Sequence, residues 1–175
     1  LPDKTWSFTK ADDGTVNGTT EIPNEPTLVL VTDVEVLDDK TEKLLPGGTI
    51  NIVDAEGKQV QSGTLGEKGD LTIRYMKHGK YVLKQTKAPL GYVLQVKEYP
   101  FEITAEGKVT GVTRIVNEPT KVVVTKLDPD KQPVEGATYE FYDAAGKKVA
   151  DVKTDKDGKL TVKYLPAGKY TYKET

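Results

Sequence analysis

The sequence predicts an all-β chain built from thin β-sandwiches joined in tandem. Three observations point there. Short segments rich in β-branched and aromatic residues alternate apolar with polar side chains, the period of a strand with one buried face. Glycine-containing turn signals separate these segments, and no long stretch carries an apolar stripe at helical spacing. The chain also repeats itself, which sets its organisation.

The segments follow in order. TLVLVTDVEV (27–36) is a β-branched run and reads as an opening strand. A Pro46-Gly47-Gly48 turn leads into GTINIVDAEG (48–57), which ends in a Glu56-Gly57 turn. DLTIRYM (70–76) and KYVLKQT (80–86) flank a turn at His78-Gly79. EYPFEIT (98–104) runs into Glu106-Gly107, and Asp157-Gly158 marks a turn of the same kind further on.

Residues 4–27, KTWSFTKADDGTVNGTTEIPNEPT, align without a gap under residues 97–120, KEYPFEITAEGKVTGVTRIVNEPT, at an offset of 93 that carries Asn24 onto Asn117. TLVLVTD (27–33) then matches TKVVVTK (120–126), GGTINIVDAEGKQV (47–60) matches GATYEFYDAAGKKV (136–149), and GKYVLKQT (79–86) matches GKYTYKET (168–175), the last two at an offset of 89. Residues 27–119 therefore read as a complete unit, 1–26 as the closing strands of a unit, and 120–175 as the opening strands of a unit, to be completed by strands like 1–26. An isolated half sandwich leaves sheet edges and core uncovered. A neighbouring copy completing the ends head to tail, closure within one chain, and a window on a longer ordered chain are the three accounts that meet this need.

Composition narrows the function. Hydrophobic residues make up 36% and charged residues 30% of the 175, lean but globular. A net charge of -2 without a basic block points to no nucleic acid and no membrane surface as partner. The chain has no cysteine, which excludes disulfides, cysteine-based zinc sites and a cysteine nucleophile. No apolar run is long enough to cross a bilayer as a helix. A signal and an anchor are expected outside this segment.

VVVTKLDPDKQPVEGATYEFYD (122–143), LPAGKYTYKET (165–175), YVLKQTKAPLGY (81–92) and the closing IVNEP (115–119) and IPNEP (22–26) together resemble the Cna protein B-type repeats of Gram-positive surface adhesins and sortase-assembled pilins. The resemblance covers essentially the whole chain. It implies immunoglobulin-like or prealbumin-like sandwiches, an extracellular, cell-wall or pilus location, and no turnover enzyme. It also implies an isopeptide bond, formed autocatalytically, in which a first-strand lysine attacks a last-strand asparagine while a buried glutamic acid moves the protons. The matching positions are Lys126, Asn24 and Glu174. Such a lysine must be desolvated to become a neutral amine, and the glutamic acid must stay protonated.

Strand parity agrees with that placement. Lys126 shares a face with Val122 and Val124, Glu174 with Tyr170 and Tyr172, and Asn24 with Ile22. The plain alternative is a lysine that snorkels to solvent and a strand-end glutamate. In the complete unit the corresponding positions are Asp33, Gln85 and Asn117, which lack an amine and a proton-exchanging acid, so no internal cross-link is expected there. Asp33 is instead expected to be a buried carboxylate with a raised pKa, held by Gln85 and Asn117.

Other residues read as structural. His78 sits in a turn with no second histidine to share a metal. Asp128, Asp130, Asp155 and Asp157 read as turn formers rather than calcium ligands. Trp6, aligned with Tyr99 and sharing parity with Phe8, reads as strand packing. No metal or cofactor is implied. The leading function is a structural stalk or shaft module whose partners are adjacent repeats or neighbouring copies, with host matrix reached through other domains. A ligand-binding adhesin module and an engineered split domain that assembles head to tail are the alternatives.

Overall fold

A computed structural model describes residues 5–18, 21, 25–38 and 41–175. The described residues form sixteen strands and no helix. The long opening strand is β3 (Leu28–Asp38), and β4 (Thr41–Leu44), β5 (Thr49–Asp54), β6 (Gln59–Thr64), β7 (Asp70–Arg74), β8 (Gly79–Lys87), β9 (Tyr99–Ile103), β10 (Val109–Gly111) and β11 (Arg114–Val116) follow it. They build two sheets. One has the order β10-β9-β8-β5-β6, and the other is centred on β3. In the second sheet β11 runs parallel along one edge of β3, pairing Ile115 with Asp33. On the other edge β7 pairs with residues 28–32 and β4 with residues 34–38 of β3.

The sheets close on a shared core. Val29 and Val31 of β3, Ile73 of β7 and Ile115 of β11 meet Ile50 and Ile52 of β5, Leu83 of β8 and Phe101 and Ile103 of β9, all nearly or fully out of water. Strand alternation produces this arrangement, since every second side chain of each strand points to the same face. On β3 the buried face reads Val29, Val31, Asp33, Glu35, so a row of valines continues into two carboxylates.

A second, smaller sandwich follows. β12 (Lys121–Thr125), β13 (Thr138–Asp143), β14 (Lys148–Lys153), β15 (Lys159–Lys163) and β16 (Tyr170–Glu174) repeat β3, β5, β6, β7 and β8. β12 pairs with β15, and β13 lies between β14 and β16. Tyr139, Phe141, Leu160, Val162 and Leu165 form its core. No counterpart of β4 occurs among the described residues, because the loop after the opening strand is four residues shorter in this copy.

The hairpin β1 (Phe8–Lys10) and β2 (Val16–Gly18) pairs Phe8 with Gly18 and Lys10 with Val16. This is the register of β9 and β10, where Phe101 faces Gly111 and Ile103 faces Val109, 93 residues later. Gly18 and Gly111 both have positive φ, and a Cβ on either would collide with the opposing phenylalanine's backbone. Phe101 is buried, whereas Phe8 is 64% exposed.

The turns use aspartates as expected. Asp128 Oδ1 accepts from the Gln132 N–H, and Asp155 Oδ1 accepts from the N–H groups of Asp157 and Lys159. His78 lies exposed in a bend. No cluster of His, Cys, Asp and Glu suited to a metal occurs among the described residues.

Candidate functional site

The two sandwiches carry the same polar position with different residues in it, Asp33 within β3 in the first and Lys126 directly after β12 in the second. In the first, the Asp33 N–H donates to the Gly69 carbonyl and the Asp33 carbonyl accepts from the Leu45 N–H. In the second, the Lys126 N–H donates to Gly158 and its carbonyl accepts from Val134. Backbone geometry thus makes Asp33 and Lys126 counterparts. A strand of the opposite sheet, β8 or β16, supplies the second group. Gln85 Nε2 donates to Asp33 Oδ2 at 2.9 Å, and Lys126 Nζ donates to Glu174 Oε2 at 2.7 Å.

Around Lys126 the arrangement is an ion pair. Glu174 Oε2 also accepts from the Tyr139 hydroxyl at 3.1 Å. The Lys126 and Glu174 side chains are 32% and 46% exposed. Lysine is held above its ordinary pKa by the bond to Glu174, and Glu174 is held below its ordinary value by the bond to Lys126. Both groups are therefore charged, the reverse of the protonation states that attack on an amide needs. The reason is that each charge is held by the other, in a half-open site where burial opposes the charges too weakly to neutralise them. Asn24, the third member expected here, lies outside the described residues.

Around Asp33 the arrangement is dry. Asp33 is fully buried, Asn117 is 2% exposed and Gln85 6%. Burial pushes the Asp33 carboxyl up to about 6, and the Gln85 hydrogen bond, with the nearby Asn117 amide, restrains the rise. Gln85 is fixed at its other end, its Oε1 accepting from the Gln95 N–H at 2.9 Å. Asp33 Oδ1 and both side-chain polar atoms of Asn117 make no hydrogen bond. Unsatisfied buried polar atoms are costly, so this trio lowers the stability of the sandwich that holds it. Gly48 leaves room for it, since a Cβ there would overlap Asp33 Oδ2, and the matching residue of the second sandwich is Ala137. The trio holds no amine and no acid–amine pair, so it can accept a proton but cannot form an amide.

A second polar cluster, missed from the sequence, lies between the sandwiches. Glu35 Oε2 accepts from the Tyr92 hydroxyl at 2.7 Å, and Glu35 Oε1 accepts from the Tyr164 hydroxyl at 2.8 Å. The two rings meet edge on, 5.7 Å apart. Lys43 Nζ donates to the Tyr92 hydroxyl at 3.3 Å and lies 5.6 Å from the Tyr164 ring centre. Tyr92 is pushed well above the ordinary tyrosine pKa by burial first and then by Glu35, so it remains a donor at any working pH. Parity on β3 placed Glu35 on the inward face beside Asp33, and that signal could have found it.

Comparison with known proteins adds the family. The model of the SpaA prealbumin-like fold domain matches residues 32–118 and again residues 120–175. The chain belongs to the SpaA prealbumin-like domain family. Among solved structures, the SpaA-type fold of this chain is similar to the Bacillus anthracis TIE protein, with 31% identity and a TM-score of 0.53 over 93% of this chain. The chain spans 33% of that protein's length. It is also similar to the shaft pilin spaA from Lactobacillus rhamnosus GG, at 16% identity and a TM-score of 0.46 over 86% of this chain and 88% of that one. A third likeness is to the pilus adhesin RrgA from Streptococcus pneumoniae, at 17% identity and a TM-score of 0.42 over 74% of this chain and 16% of that one. No curated protein matches.

Proposed function

We propose that the chain is a structural length of a Gram-positive surface stalk or pilus shaft, outside the cell, with one unit clasped by a Lys126–Asn24 isopeptide bond. The observation that carries the structural part is the splice between the sandwiches. β11 ends at Val116 and β12 begins at Lys121. Within that short splice the Thr120 N–H donates to the Gly91 carbonyl at 2.9 Å, and the Thr120 hydroxyl lies 3.0 Å from the Gly91 carbonyl and 2.7 Å from that of Leu165. A connection this short and this well bonded transmits force and does not swing like a linker. Sandwiches joined in this way make a rod, whose partners are adjacent repeats or neighbouring copies, while host matrix is met through other domains.

The covalent part follows from the ion pair. Lys126 and Glu174 already hold the right number of protons between them. Covering the pair with a strand of the β11 type strips its water, and moving one proton from Nζ to the carboxylate turns two charges into a neutral amine and a neutral acid. Glu174 gives its proton to the Asn24 side-chain oxygen as the amine adds to the carbon, and the carboxylate so formed takes a proton from the newly bonded nitrogen. Glu174 then passes that proton to the departing nitrogen, the old C–N bond breaks, ammonia leaves, and the proton on the oxygen returns to Glu174 as the new amide carbonyl forms. The new amide replaces the disulfide that a chain without cysteine cannot make. The reaction occurs once per unit and is not turnover.

Intact mass of the full chain tests this. Each bond formed removes one ammonia, and bonds between copies survive boiling in detergent as a ladder. Lys126→Ala, Glu174→Ala and Asn24→Ala should each restore the unreacted mass. A parent chain at full mass under every assembly condition would defeat the covalent part.

A further inference from the structure

Tyr164 holds a backbone conformation that residues with a Cβ avoid, with φ of 63°. Among the other residues that do so is Tyr75, with φ of 62°, and it occupies the same place in the repeat, 89 residues earlier. Local bonding is the same as well. The Tyr164 N–H donates to the Thr120 carbonyl at 3.0 Å, and the Tyr75 N–H donates to the Thr27 carbonyl at 3.1 Å. Thr27 and Thr120 each end an Asn-Glu-Pro-Thr run. Tyr75 therefore stands at the entry pole of its sandwich as Tyr164 stands at the entry pole of the next.

Their side chains differ in one respect. Tyr164 is seated on the preceding sandwich, edge on to Tyr92 and hydrogen-bonded to Glu35. Tyr75 is 79% exposed. A left-handed tyrosine is strained, and such strain persists where surrounding interactions repay it. At Tyr164 the repayment is visible. The Tyr164 carbonyl also presses so close to Gly91 that a Cβ there would collide with it.

We propose that Tyr75 is the incoming half of the same joint, and that its partner is the SpaA-type module immediately before it, whose closing strands correspond to residues 1–26. That module must present a carboxylate where Glu35 stands and a tyrosine edge where Tyr92 stands. The joint is then a repeating device. Each module offers a strained tyrosine at its entry pole and a carboxylate–tyrosine seat near its exit pole, so the angle between modules is set at every splice. This deepens the shaft reading and rests on it for its purpose.

The test inserts a second copy of residues 27–119 after Pro119 of the full chain. The new splice, Pro119 followed by Thr27, keeps the native Pro-Thr step. Tyr75 of the inserted copy then faces Glu35 and Tyr92 of the first. Because the chain has no cysteine, a single cysteine at exposed Lys58 of each copy takes a spin label cleanly, and pulsed EPR reads the distance between modules. A narrow distribution is expected, at least doubling in width with Tyr75→Ser in the inserted copy or with Glu35→Ala in the first copy. Tyr75→Ser in the first copy should leave it unchanged, a control for folding. A distribution that is broad from the outset, or indifferent to Tyr75→Ser in the inserted copy, overturns the joint. Either result leaves the stalk reading standing with a flexible joint, and the covalent clasp is tested separately by the mass measurement.

Discussion

Asp33 shows what burial does to one carboxyl. Its carboxyl is buried, bonded to Gln85, and raised from 3.8 to about 6. The folded state prefers the neutral acid, so the sign of its pH dependence is fixed. Stability contributed by the neutral form is fully present below 3.8, declines as pH rises from there to about 6, and is gone above that. Asp33→Asn keeps an oxygen for Gln85 without the charge. It should stabilise the sandwich at pH 8 by about 2–3 kcal/mol and make little difference at pH 3.5. Urea midpoints at the two pH values check this, and equal differences at both would show that burial is not what perturbs Asp33.

At the scale of elements, β5 and its lead-in are shaped by what the opening strand carries. Gly48 passes over Asp33 Oδ2 with no room for a Cβ, while its counterpart Ala137 belongs to the sandwich whose opening strand is followed directly by Lys126. Gly48→Ala should therefore cost about 1–3 kcal/mol, as overpacking does. Removing the carboxylate as well, in Asp33→Ala with Gly48→Ala, should recover most of that cost. A double-mutant cycle by urea unfolding measures the coupling, and additive effects would separate the two residues. The strands themselves were legible. Residues 27–36, 48–57, 70–76, 80–86 and 98–104 became β3, β5, β7, β8 and β9 within a few residues, because alternation and glycine turns are local signals. β4 was not legible. Its residues, Thr41–Leu44, lack an apolar run, and they pair only because β3 continues past the end of β7 and leaves an open edge.

Over the whole molecule, two hydrophobic clusters share no residue. Two cores joined by a short splice should unfold in two calorimetric transitions rather than one. Ile52→Ala, which opens the first core, should lower one transition by the equivalent of about 2–5 kcal/mol and leave the other near its place, with Phe141→Ala doing the converse. A single transition that both variants shift would show the joint at Glu35, Tyr92 and Tyr164 coupling the sandwiches into one cooperative unit.

The sequence by itself determined the all-β class, the repeat and the equivalence of Lys126 with Asp33 and Glu174 with Gln85, because strand period, turn chemistry and self-alignment are all written in local order. Only the tertiary structure decided protonation and contact. Lys126 and Glu174 are charged because they bond each other in a half-open site, Asp33 is raised because it is buried, and Glu35 holds two tyrosines that lie 57 and 129 residues away along the chain. Solvent access and long-range proximity belong to the folded chain as a whole, and no window of residues contains them.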